Sequence, residues 1–299
     1  MRRSSATFPP LMPFIATLAG VGLYSLMDVL MKGATLAIGV YSAMLWRSAA
    51  AVVVAVPAWR LSGGIWPERA TLRLHLLRGV VAAGMTLTFF WGLARLPLAE
   101  AIAISFLAPL IALYLAAVML GETISRGAVI ASLLGLVGVV VIGAARLGAD
   151  GDSSEAAAGI AAILVSAVLY AWNLILQRRQ SQLARPLEVA AFMNFTVLAV
   201  LLPFAALIGV TLPEPGMAAA IGGAALLAVA AGMLFSWAYA RAEAQALVPL
   251  EYSAFIWAAI LGWLAFGEAL SLATAIGAVL IVAGCWIAAP KRRPEPSAL

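Results

Sequence analysis

The chain has 299 residues, of which 65% are hydrophobic and 10% charged, and its mean hydropathy is +1.06. A soluble domain is about one quarter charged, so this composition predicts an integral membrane protein. One Cys and one His exclude a disulfide framework, a Cys/His zinc cluster and a Cys–His dyad, and we expect neither a metal nor a cofactor. The net charge of +5 comes from basic residues near segment ends, which is typical of membrane topology signals and not of a nucleic-acid surface.

Ten stretches are long and apolar enough to cross a bilayer, which takes about 20 residues. In chain order they are 12–32, 41–60, 74–94, 98–120, 126–146, 157–177, 187–209, 217–241, 245–266 and 271–289. The longest connector, RLGADGDSSE, is polar and acidic and divides the chain into halves of 1–149 and 150–299. We predict an all-α integral membrane fold of ten transmembrane helices, in which the two five-helix halves form one transport unit.

The two halves are related by an internal repeat. LGETIS at 120–125 returns as FGEALS at 266–271, an offset of 146 residues from Gly121 to Gly267. Scarce residues coincide at the same offset, namely Tyr24 with Tyr170, Pro57 with Pro203, Trp91 with Trp237, and Arg95 with Arg241. A period of about half the chain indicates a tandem duplication and not a solenoid.

The repeated turn has a structural interpretation. A glycine can end a helix in the left-handed conformation, and a serine hydroxyl can cap the next helix. We therefore expect Gly121 and Gly267 to end helices and Ser125 and Ser271 to begin them. The two motif glutamates, Glu122 and Glu268, are expected to have a structural role and not to bind substrate.

Lys and Arg are distributed unevenly between the connectors. With a cytoplasmic N-terminus, thirteen lie in cytoplasmic segments and three on the opposite side, which predicts that both termini are cytoplasmic. Five spans per half is an odd number, so the second half enters from the opposite side and the halves are inverted repeats. Inverted repeats are an architecture of secondary transporters, whose sites lie near the bilayer midplane where the repeats meet.

The segment FGEALSLATAIGAVLIVAGCWI at 266–287 resembles the signature of the EamA family of the drug/metabolite transporter superfamily, and 120–142 is a weaker copy. The resemblance covers the whole chain and is greatest to bacterial amino-acid exporters, including the aromatic amino-acid branch. It implies export of amino acids and related metabolites across the bacterial inner membrane by alternating access. It also implies that spans 1–4 and 6–9 surround the cavity, with spans 5 and 10 peripheral.

The two peripheral spans have small residues at helical spacing. Gly127, Ala131 and Gly135 lie on the fifth span, and Ala273 and Gly277 on the tenth. Small residues four apart let helices approach closely. We expect these faces to pack within one protomer and the protein to be a monomer.

Five ionisable residues inside the spans are candidates for gating or coupling, because charges in a membrane usually face protein or water. Asp28, Arg47 and Glu100 lie at similar depth near the outer ends of their spans and predict an outer polar gate. Arg78 and Glu251 lie toward the cytoplasmic side and are expected to pair in an inner gate. For Asp28, Glu100 and Arg78, snorkelling or helix capping is the alternative.

The other cavity candidates are polar, aromatic or helix-bending residues of the inner spans: Tyr24, Trp91, Ser105, Pro109, Tyr170, Asn173, Trp237, Tyr252 and Phe255. Tyr and Asn need hydrogen-bond partners in lipid, which turns them inward, whereas packing is the alternative role of the other aromatics. Pro109 removes a backbone hydrogen bond near the midplane and predicts a bend in the fourth span. His75, at a helix start, is expected at the membrane interface.

Such a cavity favours small amphipathic solutes. The leading hypothesis is an exporter of amino acids and related metabolites; the alternative is a facilitator or proton-coupled exporter of nucleosides, drugs or other small solutes. A membrane enzyme would need a group of metal ligands or an activated nucleophile, and a chain with one His and one Cys has few residues to form either. A scaffold that transports nothing is the remaining alternative.

Overall fold

A computed structural model of the protein describes residues 11–120, 126–148, 153–242, 247 and 250–288. This part of the chain is helical apart from short connectors. The helices are α1 (Met12–Ile38), α2 (Val40–Leu61), α3 (Arg69–Leu93), α4 (Leu98–Ser105), α5 (Ala108–Leu120), α6 (Arg126–Leu147), α7 (Ser153–Leu183), α8 (Pro186–Leu201), α9 (Ala205–Ile208), α10 (Pro215–Tyr239), α11 (Ala254–Phe266) and α12 (Leu272–Ala288). A 3-10 turn, Leu202–Phe204, joins α8 to α9.

Six helical segments are long and apolar enough to cross a membrane: α1, α2, α3, α10, Ser154–Leu183 of α7, and Pro186–Ile208, which includes α8 and α9. The fourth, fifth, ninth and tenth predicted spans contain the shorter apolar helical segments Leu98–Ala112, Ser132–Leu147, Ala254–Phe266 and Leu272–Gly284, except that Leu147 lies one residue beyond the end of the fifth. The protein is therefore an all-helical, multi-pass membrane protein, as predicted.

The helix ends follow local turn chemistry where they are described. Gly267 has a φ of 68° and ends α11 in the left-handed conformation, and its N–H bonds the carbonyl of Trp263 at 2.9 Å. Ser271 accepts a hydrogen bond from the backbone N–H of Thr274 at 3.0 Å and so caps α12. Both predictions for the second turn are confirmed, whereas Gly121, Glu122 and Ser125 lie outside the described residues.

Two of the predicted spans are interrupted. The fourth changes from α4 to α5 through a turn at residues 106–107, and in the ninth a turn at 252–253 precedes α11. The two turns are 146 residues apart. In the first, Pro109 is the second residue of α5, a position that tolerates proline because the N–H there has no helical partner. The break therefore precedes the proline, which is where its ring excludes a continuous helix.

Helices from the two halves pack against each other in pairs. The most extensive contacts join α6 to α12, α1 to α10, α3 to α7, and α2 to α8. Glycines permit the close approach: a Cβ on Gly20 of α1 would lie 2.9 Å from the Phe235 ring of α10, and one on Gly79 of α3 would lie 2.4 Å from Thr196 of α8. Under the 146-residue offset, the α3–α7 pair is the equivalent of the α10–α1 pair.

The α6–α12 contact has a reciprocal arrangement. A Cβ on Gly138 would lie 2.6 Å from both the Gly277 carbonyl and the Ile281 side chain, and one on Gly277 would lie 2.5 Å from Ile142. Each helix thus presents a glycine and an isoleucine one turn later, and each isoleucine packs on the glycine of the other helix. Gly138 and Gly277 thus pack within the chain, as does Gly135, where a Cβ would lie 2.8 Å from Leu110.

For orientation we define two ends of the helix bundle. The Gly39 end is where Gly39 connects α1 to α2, and the Ser62 end is the opposite one, where α2 ends.

Candidate functional site

A cavity of about 290 Å³ lies between helices of both halves. Its walls come from the first three helices, from α7, α8 and α10, and from the interrupted fourth and ninth spans. Ten of the fourteen predicted site residues line it: Tyr24, Asp28, Arg47, Arg78, Ser105, Pro109, Tyr170, Asn173, Glu251 and Tyr252. The lining is mostly apolar and aromatic, and Phe89, Phe90, Phe106 and Phe235 are contributors that the sequence analysis missed.

Three residues that were expected in the cavity do not line it. The guanidinium of Arg95 lies 3.4 Å from the centroid of the Trp91 ring, and that of Arg241 lies 4.3 Å from the Trp237 ring. The coinciding Trp and Arg residues are thus stacked pairs one helical turn apart. Phe255 packs against the hydrophobic core. The repeat offset shows that two positions are equivalent, but it does not show which way their helix faces.

The guanidinium of Arg78 is bound by amide side chains of α7. Its Nε donates to Asn173 Oδ1 at 3.0 Å, Nη2 donates to Gln177 Oε1 at 2.8 Å, and Nη1 donates to Gln180. The expected pair with Glu251 is not formed. Acceptors at three- and four-residue spacing lie on one face of α7, so they match the several donors of one guanidinium.

His75 extends the Arg78 cluster toward α8. Its Nδ1 bonds Gln180, its Nε2 lies 3.1 Å from Glu188 Oε1, and its ring stacks on Phe192 with centroids 4.7 Å apart. The side chain is fully buried within the protein, and its expected position at the depth of the membrane interface stays a prediction. Gln180 was missed because the sixth span was ended at residue 177, whereas α7 continues to Leu183.

Glu251 is held by two phenols. The hydroxyl of Tyr170 donates to Oε2 at 2.8 Å, and the hydroxyl of Tyr239 donates to Oε1. These donors come from α7 and α10 and satisfy one oxygen each. Tyr239 was missed because its repeat equivalent is Leu93, so the duplication gave no signal there.

Arg47 is buried in the cavity wall in a different environment. Only 6% of its surface is exposed, its Nη1 contacts the Met27 sulfur at 3.8 Å, and its Nε has no hydrogen-bond partner among the described residues. Within the described ranges, no ion pair joins it to Asp28, although the two charges interact and both line the cavity. Tyr24 lines the same cavity.

A second polar cluster lies at the Gly39 end, beside a more open cavity of about 670 Å³. Lys32 donates to the carbonyl of Leu96 at 2.7 Å and forms an ion pair with Glu268. The other oxygen of Glu268 accepts the backbone N–H of Leu98 at 2.7 Å. The motif glutamate therefore connects the loop before α12 to α1 and to the start of α4.

Glu100 belongs to this second cluster and not with Asp28 and Arg47. It lies in the first turn of α4, where Thr274 donates to it at 3.4 Å and Arg146 lies 3.9 Å away. The prediction that Glu100 forms one outer gate with Asp28 and Arg47 is therefore wrong. The sequence predicted the three residues at one depth, but α1 continues to Ile38, so Asp28 lies ten residues before its end, whereas Glu100 lies in the first turn of α4.

Among the described residues, no group of three or more His, Cys, Asp or Glu side chains is arranged to hold a metal ion. The chemistry of the main cavity is thus that of fixed charges, hydroxyls, amides and rings. These groups can bind and orient an organic solute.

Comparison with known proteins gives the family. The model of the EamA-like transporter family matches residues 11–144 and 157–289. The chain is 27% identical over 266 residues to the pseudopaline exporter CntI of Pseudomonas aeruginosa strain UCBPP-PA14, covering 88% of this chain and 90% of that protein. It is 27% identical over 269 residues to a riboflavin transporter of Rhizobium johnstonii, covering 89% and 86%.

A protein crystal structure is similar in fold, with a TM-score of 0.63 and 23% identity over 92% of this chain and 96% of that one. The family match and the transporter names of its relatives confirm the prediction of a transporter and not an enzyme. The chain belongs to the EamA-like transporter family.

Proposed function

We propose that this protein is a secondary transporter that exports amino acids and related small metabolites across the inner membrane by alternating access. The observation that carries the proposal is the cavity between the halves, in which the charges of Arg47 and Asp28 lie among aromatic rings without forming an ion pair with each other. Such a lining suits a small solute with both charged groups and apolar surface. A relative named as an exporter supports the direction of transport.

We also propose that the chain crosses the membrane ten times as two inverted repeats, 1–149 and 150–299. Two matches of the family model, one in each half, support the duplication. The equivalence of the α3–α7 and α10–α1 contacts supports a two-fold relation between the halves. The bias of Lys and Arg favours a topology with both termini and the Ser62 end in the cytoplasm and the Gly39 end outside.

Alternating access requires contacts that can open at either end. At the Gly39 end, Glu268 of the second half bonds Lys32 and Leu98 of the first half. Arg95 and Glu155 form a further ion pair between the halves, with 2.6 Å between Arg95 Nε and Glu155 Oε2. Opening the cavity outward has to separate these partners.

The direct test is flux through purified protein in proteoliposomes. The vesicles contain labelled L-phenylalanine, L-leucine or adenosine, with and without an imposed proton gradient, and protein-free vesicles are the control. We expect amino-acid efflux well above the control. Efflux of adenosine alone would favour the alternative substrate class. An efflux rate that depends on the proton gradient would indicate proton coupling. If none of the solutes leaves the vesicles faster than from the control, the proposal that the protein transports these solutes is wrong.

Cysteine labelling tests the orientation independently. Single cysteines at exposed positions, with Cys285 first replaced, are treated with a membrane-impermeant maleimide in intact cells. We expect labelling at Ser154 and Gly216 but not at Ser62 and Gln182. Labelling of all four from outside would contradict the inverted arrangement while leaving the flux result intact.

A further inference from the structure

We propose that Arg47 and Asp28 form a two-point site, in which the guanidinium binds the carboxylate of a zwitterionic solute and the Asp28 carboxylate binds its ammonium group. This inference deepens the proposed function and rests on it. It assigns the substrate's two charged groups to particular residues.

The environment of the Arg47 guanidinium is the first observation. Arg47 and Arg78 are almost equally buried, at 6% and 7% exposed. Three amide oxygens bind Arg78, whereas within the described part of the chain Arg47 has a sulfur contact at 3.8 Å and a buried Nε without a partner. A buried charge without a partner is costly, so Arg47 is suited to an anionic partner that comes and goes. A carboxylate matches a guanidinium through two parallel hydrogen bonds.

Asp28 supplies the opposite charge on the neighbouring helix. It lines the same cavity from α1 as Arg47 does from α2, and the two interact electrostatically. In the described part of the chain, no ion pair within 4.0 Å joins them. Two opposite charges that share a cavity but do not pair are suited to binding the two ends of a zwitterion between them.

Aromatic rings lie where the rest of such a solute would pack. Tyr24 and Phe235 have ring centroids 5.5 Å apart, and those of Phe106 and Tyr252 are 4.9 Å apart. All four residues line the cavity. Phe106 and Tyr252 are also repeat equivalents, and each lies in the turn that interrupts its span. The apolar side of the solute thus meets rings from both halves.

The test compares three probes that differ by one charged group. Purified protein in lipid nanodiscs is titrated with L-phenylalanine, with phenethylamine, which lacks the carboxylate, and with 3-phenylpropanoate, which lacks the ammonium group. We expect wild-type protein to bind L-phenylalanine at least about tenfold more tightly than either analogue, because each charge-assisted hydrogen bond that an analogue cannot make is worth at least that factor.

The variants assign each contact. In Arg47→Gln, we expect the dissociation constants for L-phenylalanine and phenethylamine to be nearly equal. In Asp28→Asn, we expect those for L-phenylalanine and 3-phenylpropanoate to be nearly equal. Arg60→Gln is the matched control: it is the same change on the same helix, where the guanidinium lies 4.7 Å from the Trp59 ring. It should keep both wild-type ratios.

The outcomes separate this inference from the proposed function. Wild-type ratios in Arg47→Gln or Asp28→Asn would overturn the two-point site while amino-acid efflux in proteoliposomes still stood. No efflux of any amino acid, together with equal binding of the three probes, would overturn both. If Arg47→Gln does not fold, Arg47→Lys takes its place in the test, because lysine keeps the positive charge but cannot form two parallel hydrogen bonds to a carboxylate. It is expected to bind L-phenylalanine more weakly than wild type, and unchanged affinity would overturn the paired contact.

Discussion

Replacing the two buried cavity arginines by methionine should affect stability differently, with Arg78→Met destabilising the protein and Arg47→Met not. Methionine is long and apolar, so Arg78→Met and Arg47→Met remove a charge while filling much of the same space. In the first variant, Asn173, Gln177 and Gln180 are deprived of the guanidinium that donates to them. In the second, the substitution removes a weak hydrogen bond to the Met27 sulfur.

The magnitude follows from the burial of the orphaned amides. Asn173 is 3% exposed and Gln180 is 1% exposed, whereas Gln177 is half-buried and water can replace its donor. A buried acceptor left without a donor costs about 1–3 kcal/mol, so the side-chain oxygens of Asn173 and Gln180 together cost about 2–6 kcal/mol, although Gln180 keeps its bond to His75. Arg47→Met removes a buried charge and leaves no buried amide without its donor; the Asp28 carboxylate that it leaves behind is half-buried and lines the cavity, where water can solvate it. Its free energy of unfolding should therefore be unchanged or higher.

Unfolding of the purified variants in detergent, followed by tryptophan fluorescence, measures the difference. We expect a clearly lower melting temperature for Arg78→Met and no decrease for Arg47→Met. Arg60→Met controls for losing a positive charge elsewhere on α2. Equal destabilisation by the Arg47 and Arg78 changes would refute the distinction between an arginine bound by the fold and one kept free for a ligand.

The remaining predictions concern the Gly39 end, the helix contacts and the stacked tryptophans. Glu268→Gln weakens the link between the halves, so a cysteine at Ser105 should react faster with a maleimide added outside; an unchanged rate would show that other contacts suffice. Gly277→Ala puts a Cβ 2.5 Å from Ile142 and should lower the melting temperature by overpacking, at a cost of about 1–3 kcal/mol, whereas Gly216→Ala meets nothing within 4 Å and should not. Trp237→Ala should leave the ranking of transported solutes unchanged, and an altered ranking would return this side chain to the cavity.

Much of the fold was predictable because membrane helices and their ends depend on local signals. Apolar length located the spans, and Gly267 and Ser271 form the turn that their chemistry predicts. The interruption beside Pro109 was predicted in outline from the proline itself. The matching interruption at 252–253 has Phe255 at the position equivalent to Pro109, so it was not predicted, although the duplication could have indicated it.

The partners of the charged residues could not be predicted from the sequence. Arg78 was expected to bind Glu251, but each is satisfied by neutral side chains of other helices. Which partner a buried charge finds depends on the rotation of each helix about its axis, and packing against several neighbours sets that rotation. An estimate of depth from the position in a span gives no information about this rotation.

The crossing of α6 and α12 has a two-fold symmetry of its own. Gly138 faces Ile281 as Ile142 faces Gly277, so a local two-fold axis between the glycines exchanges residues 139 positions apart. The duplication relates residues 146 positions apart, so this local axis is not the one that relates the two halves. No described residue of either helix lines the main cavity. Substitutions at this crossing should therefore change how much of the protein folds without changing which solutes the folded protein transports.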